Sequence, residues 1–215
     1  MTRQRKIKEP CPLCASSRAL CVCDAVPRIA VRTRICLVMH HRELTRRSNT
    51  GLLAVRALAN SELRIRGEER EALDLGDLLT PLYRTFLFFP CRDAVELDAA
   101  LVTRAQGPIQ LIVPDGTWRQ ARKIHTRHLE LKDVPRVKIG APNNSTFQLR
   151  TQSSPERMAT LQAIARGLGV IEGAQVEAEL MKLYYTKIER TLLGRGISCG
   201  SLCFTHDSKI VCGIQ

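Results

Sequence analysis

The chain has 215 residues, 44% of them hydrophobic, enough to bury a real core and to exclude a disordered polymer. Its formal net charge of +12 predicts attraction to polyanions, with nucleic acid the first candidate. No apolar run approaches the roughly 18 residues that a membrane span needs, and MTRQRKIKEPCPLC lacks a signal-peptide apolar region, so a soluble, cytoplasmic protein is expected.

The charge is concentrated at the start. Residues 1–34 carry Arg3, Arg5, Lys6, Lys8, Arg18, Arg28, Arg32 and Arg34 against Glu9 and Asp24, half of the net charge. Such a run is either a solvated tail or an arm for RNA or DNA. Within it, residues 10–24 read PCPLCASSRALCVCD, in which Cys11 and Cys14 form C-x2-C and Cys21 and Cys23 form C-x-C. Four soft ligands brought close by turn-forming Pro10, Pro12, Ser16 and Ser17 suit tetrahedral zinc. A closed shell of four thiolates is structural, not catalytic. Nine cysteines in a reducing compartment point to metal binding and buried thiols, not to a disulfide frame. The expected organisation is a basic zinc-binding module over 1–34, an α/β catalytic domain over 35–195 and a C-terminal tail over 196–215.

From residue 35 the pattern alternates. Apolar runs at 35–39 (ICLVM), 85–89 (TFLFF) and 109–113 (IQLIV) predict three strong strands, with shorter ones at 63–66, 136–139 and 147–150. Helices are expected over 51–60 with Asn49 or Thr50 as cap, over 93–104 with Asp93 as cap, and over 117–129, 155–168 and 175–193. Alternating strands and helices imply an α/β fold: a mostly parallel sheet with helices on both faces.

Ligands of such sheets sit at the carboxyl ends of strands. Here the three strong strands end in His40-His41-Arg42-Glu43, Pro90-Cys91-Arg92 and Asp115-Gly116-Thr117-Trp118, and neighbouring strands would bring these loops to one cleft. Asp115 fits a helix N-cap or a functional acid. Gly116 permits close backbone approach, and Trp118 is either a core residue or a face for stacking. The absence of G-x-G-x-x-G, of a P-loop and of G-x-S-x-G disfavours nicotinamide, phosphoryl-transfer and serine-hydrolase readings. His40-His41 lack supporting ligands at metal spacing, and the cysteines and histidine of the tail (Cys199, Cys203, His206, Cys212) are irregularly spaced.

The combination of C-x2-C…C-x-C, SNTG at 48–51, FFP at 88–90, DGTW at 115–118 followed by RQARKI, and SPE at 154–156 resembles the DTW-domain family, over roughly residues 10–195. Two departures are Pro114 before the signature and the irregular late motif SSPERMATLQA. The resemblance implies a SPOUT-like, knotted fold and tRNA-uridine aminocarboxypropyltransferase activity. S-adenosyl-L-methionine would donate its 3-amino-3-carboxypropyl group to N3 of a uridine in tRNA. On that reading Asp115, if desolvated, has a raised pKa and serves as general base. Thr117 and Trp118 complete the catalytic signature. Phe89, Pro90, Asp115, Gly116, Arg150, Ser154 and Glu156 hold the donor, with Arg42, Arg92 or Arg150 on its carboxylate. Arg42, Arg119, Arg122, Lys123 and Arg127 either meet tRNA phosphates or form a solvated helix face. A methyltransferase using the same donor and a non-catalytic RNA-binding zinc protein are the competing readings. Monomer or homodimer stays open.

Overall fold

The computed structural model describes residues 10–67, 73–140 and 158–197. Six strands form one wholly parallel sheet: β1 (Arg34–His40), β2 (Ser61–Arg66), β3 (Arg84–Phe88), β4 (Val95–Glu96), β5 (Ile109–Asp115) and β6 (Arg136–Lys138), in the spatial order β2-β1-β5-β3-β6-β4. Burial follows this order. All seven residues of β5 are buried, as are the five central residues of β1, which suits strands covered on both faces. The edges are half-buried β2 and the two-residue β4.

Among the described residues five helices cover the sheet: α1 (Gly51–Ala57), α2 (Ala99–Ala105), α3 (Trp118–Arg127), α4 (Thr160–Glu172) and α5 (Ala174–Leu193). One core joins Ile35, Leu37, Met39, Leu111 and Val113 to the apolar sides of α1, α2, α4 and α5. The other joins Cys36, Val38 and Ile112 to Ala121 and Ile124 of α3, with Leu75, Leu78, Leu131 and Val134 around them. Odd and even positions of β1 and β5 thus face opposite layers, as the two-residue period of a strand requires. The expected α/β class with helices on both faces holds.

Several boundaries differ from expectation. The helix expected at 93–104 begins at Ala99, and its cap is Asp98, which accepts the Leu101 N–H at 2.7 Å. Asp93 instead pairs with Arg136 at 3.0 Å. Val95-Glu96 is drawn into the sheet by pairing with Val137-Lys138. Helix α1 stops at Ala57, three residues early, because Leu58 turns into extended backbone. The helix expected at 155–168 runs instead from Thr160 to Glu172, with extended Ala159 before it, while residues 155–157, the strand expected at 147–150 and the segment 196–215 from residue 198 onward lie outside the described residues. No helix among the described residues is long and apolar enough to cross a membrane.

Candidate active site

β1 connects through α1 to β2 on one side of the sheet, whereas β5 connects through α3 to β6 on the other. The direction in which the connections run therefore switches between parallel β1 and β5, and a crevice opens at their carboxyl ends. Asp115, the last residue of β5, stands there in register with Met39. It is 5% exposed. Its Oδ2 accepts from Asn49 Nδ2 at 2.9 Å, and its Oδ1 accepts from the Thr160 hydroxyl at 2.5 Å. Both carboxylate oxygens of this buried acid thus have hydrogen-bond donors.

Asp115 is not the cap of the following helix. Thr117 is, in a reciprocal capping box: its backbone N–H reaches Gln120 Oε1 at 2.8 Å and its hydroxyl accepts from the Gln120 N–H. With the cap supplied by Thr117, Asp115 points inward. Gly116 makes the turn between them with φ +151°, a conformation that side chains rarely adopt, and a Cβ there would lie 3.0 Å from Gln120 Cβ. Gly51 serves the same acid from the other side. A Cβ on Gly51 would fall 2.9 Å from Asp115 Oδ2 and 2.9 Å from Leu37, so only glycine lets α1 start against the carboxylate.

Local spacing casts Asn49 only as a helix cap. Its Oδ1 does accept the Leu52 N–H at 3.1 Å while its amide holds Asp115. Thr50 instead accepts the Leu161 N–H at 3.2 Å, tying the start of α1 to α4. Thr160 has no signal in the sequence, since it reaches Asp115 across 45 positions.

Next to the acid lies an open, mainly apolar cleft. Its walls include Phe88, Phe89 and Pro90 after β3, Val113, Pro114 and Gly116 of the β5 end, Trp118 and Ala121 of α3, and Thr160 and Ala163 of α4. Two of the three expected loops therefore meet in one cleft. The third touches its rim, with His40 Cβ 3.5 Å from the Cβ position of Gly116. Trp118 is 37% exposed, its ring 5.4 Å from that of Phe89 between centroids, so it is a surface face and not a core residue. Lys138 is the only charged side chain among the described residues lining the cleft. Ile139 and Met158 also line it, within two residues of the range 141–157. Arg150, Ser154 and Glu156 fall in that range, outside the described residues. Arg42, Arg119, Arg122 and Arg127 are exposed and Lys123 is half-buried.

The sulfurs of Cys11, Cys14, Cys21 and Cys23 all lie within 4.8 Å of one another. Separations of 3.7 Å for Cys11–Cys23 and 3.8 Å for Cys14–Cys21 match the edge of a zinc–thiolate tetrahedron, roughly 3.8 Å for bonds of about 2.3 Å. Against burial, N–H groups of Val22 and Ser16 bring the Cys14 thiol down to about 6, while burial pushes Cys23 up to about 12. A divalent cation would remove that conflict and let all four ionise. Four thiolates around zinc leave negative charge to balance, and cations stand beside them. Arg56 Nη1 donates to Cys23 Sγ at 2.9 Å, and Lys187, 1% exposed, donates to Ser16 Oγ at 2.6 Å. Arg190 binds the Cys21 carbonyl and grips Asp24 with bonds of 2.6 and 2.8 Å, which holds the Asp24 carboxyl down at about 2. The donor set fits structural zinc, and Cys14 and Val22 pack into the main core.

Comparison with known proteins places these features in company. The chain is 30% identical over 172 residues to tRNA-uridine aminocarboxypropyltransferase 2 of Drosophila melanogaster, covering 77% of this chain and 67% of that protein. It is 24% identical over 209 residues to tRNA-uridine aminocarboxypropyltransferase A of Arabidopsis thaliana, covering 82% and 78%. To the aminocarboxypropyltransferase 2 of Macaca fascicularis it is 22% identical, spanning only 58% of that longer protein. No solved structure matches. The DTW domain matches residues 8–192, from the cysteine loop to the end of α5, and the chain belongs to the DTW-domain family.

Proposed function

We propose that the chain is a tRNA-modifying transferase that moves the 3-amino-3-carboxypropyl group of S-adenosyl-L-methionine to N3 of a uridine and releases methylthioadenosine. The observation that carries this reading is Asp115: a buried acid at the switch point of the sheet, joined through Thr160 to an apolar cleft. The names of the fly, macaque and Arabidopsis relatives support the enzyme class and the tRNA substrate.

Uridine N3 carries a proton that must leave as nitrogen attacks. Thr160 lines the cleft and donates to Asp115, so the N3 proton passes to Thr160 Oγ as the Thr160 proton moves to Asp115. The N3 electron pair forms a bond to the methylene next to the sulfonium. The carbon–sulfur bond breaks, and its pair stays on sulfur as a neutral thioether. Aiming that methylene, and not the methyl group, at N3 is a matter of positioning. Phe88, Phe89, Pro90 and Val113 offer apolar walls for the donor, and Lys138 suits its carboxylate, with Arg150 as the second candidate. Arg42 and Arg92 are not among the described residues that line the cleft. Ser154 and Glu156 complete the donor site in this reading. Trp118 offers its exposed ring to the target base. Arg119, Arg122, Lys123 and Arg127, carried away from the cleft along α3, meet tRNA phosphates. Four reduced thiolates suit a cytoplasmic protein.

The test is nucleoside mass spectrometry of tRNA after incubation with purified protein and donor. An aminocarboxypropyl increment on uridine is expected. A methyl increment would turn the reading to methyl transfer. No increment, together with no thermal stabilisation by the donor, would leave a non-catalytic RNA-binding zinc protein.

A further inference from the structure

We propose that Arg66 is a phosphate clamp, gripping a backbone phosphate beside the uridine that enters the cleft. The inference rests on the tRNA reading above and adds a residue that none of its motifs contains. Arg66 is the last residue of β2, in register with His40 of β1, which stands one strand from Asp115. Two strand spacings, roughly 10 Å, separate Arg66 from the Asp115 strand. A nucleotide bridges such a gap between the edge of its base and its phosphate.

The guanidinium is held in place from behind. Arg66 Nε donates to His128 Nε2 at 3.1 Å. For Nε2 to accept, the imidazole proton must sit on Nδ1, and Nδ1 faces Glu130 Oε1 at 2.8 Å. The same carboxylate oxygen accepts the Leu75 N–H at 3.0 Å, and His128 is only 8% exposed. A chain of fixed groups from three segments thus engages the Nε donor and aims the rest of the fork. Among the described residues, Nη1 and Nη2 have no partner, although Arg66 is half-buried.

Among the described residues, the surroundings offer that fork no acid. Its charged neighbour is Arg127, and burial together with that neighbour pulls Arg66 below the usual guanidinium range. His40, His41 and Arg42 share the edge, and His40 is lowered by burial first and then by its neighbours His41, Arg42 and Arg66, against Glu43. Glu43, the acid that acts on His40, is buried and lies 3.3 Å from Arg46. Glu130 is occupied by His128 and Leu75. Half-buried Arg66, facing the cation Arg127 and with no described carboxylate on its Nη donors, carries a repulsion that an arriving anion relieves. Two parallel N–H donors on a rigid plane match two phosphate oxygens.

The experiment measures tRNA affinity against salt for the full chain, for Arg66→Gln, for Arg66→Lys and for Arg104→Gln, an exposed arginine on the far-side helix α2. Arg66→Gln is expected to raise Kd roughly ten-fold and to lower the slope of log K against log salt by about one. Arg66→Lys keeps the charge but not the fork and should recover the slope without the full affinity. Arg104→Gln should match the parent. A second arm uses an oligonucleotide whose phosphate beside the modified uridine is a neutral methylphosphonate. That change should weaken binding to the parent and leave Arg66→Gln unmoved. Arg66→Gln behaving as Arg104→Gln, or responding to the methylphosphonate as the parent does, overturns the clamp while the transferase reading stands. A parent that neither binds nor modifies tRNA overturns both. If Arg66→Gln does not fold, Arg66→Lys with the methylphosphonate oligonucleotide decides alone: full parent affinity on normal RNA is then the contrary result.

Discussion

At the scale of single residues, the acid of the site is built by its neighbours. Asp115→Asn keeps the shape and can still meet Asn49 and Thr160, so stability and donor binding should survive while single-turnover transfer falls by roughly 10²–10⁴. Transfer at the parental rate would remove Asp115 from the chemistry. Gly51→Ala acts differently. Its methyl group meets a carboxylate oxygen pinned by Asn49 and a methyl of Leu37, both at 2.9 Å, and neither has room to retreat. Urea unfolding should show a loss of about 1–3 kcal/mol, and activity should drop beyond what that loss explains, because the displaced atom belongs to Asp115. That Asp115 ends a strand beside a glycine and a tryptophan was legible in the sequence. Its partners were not. Asn49 and Thr160 lie 66 and 45 positions away, and contacts at such separations leave no mark in local spacing. The same holds for Arg66 and His128, 62 positions apart.

At the scale of elements, periodicity read the long buried strands and the amphipathic helices correctly, and failed where tertiary pairing overrode it. Val95-Glu96 looked helical but is claimed by the edge of the sheet, and Asp98 then takes the cap that Asp93 was expected to supply. The cysteine loop is the other element that depends on distant parts of the chain. It is bonded to α1 through Arg56 and to α5 through Lys187 and Arg190, so a metal held by the four cysteines would be braced by both helices. Stripping zinc with a chelator should lower the melting temperature of the whole chain in one transition. Arg56→Gln should release zinc roughly ten-fold faster to a colorimetric chelator, since removing an outer partner of a metal ligand weakens the site on that scale. Equal release rates would reduce the Arg56–Cys23 bond to a surface contact.

At the scale of the molecule, the excess of positive charge has two separable parts. Residues 10–34 contribute to the core through Cys14, Val22 and Ile29, so their removal would test folding and not RNA binding. Deleting residues 1–9 alone removes Arg3, Arg5, Lys6 and Lys8 and leaves every residue of that core in the chain. The truncated protein should stay folded, bind tRNA more weakly and show a shallower salt dependence, by about 0.9 in slope for each phosphate that the four cations neutralise in the parent. An unchanged slope would mark those four charges as solvated. Fold class, layer arrangement and the place of the cleft were all readable from the alternation of apolar runs, because a parallel sheet buries its strands whole. The strand order was not readable. It has a consequence for how the protein is made. β5 slots between β1 and β3, so on the ribosome the two earlier strands emerge with their shared seam open, and nothing can close it until residue 115 has left the exit tunnel. For much of its synthesis the nascent chain therefore offers unpaired strand edges, the kind of surface that holding chaperones grasp.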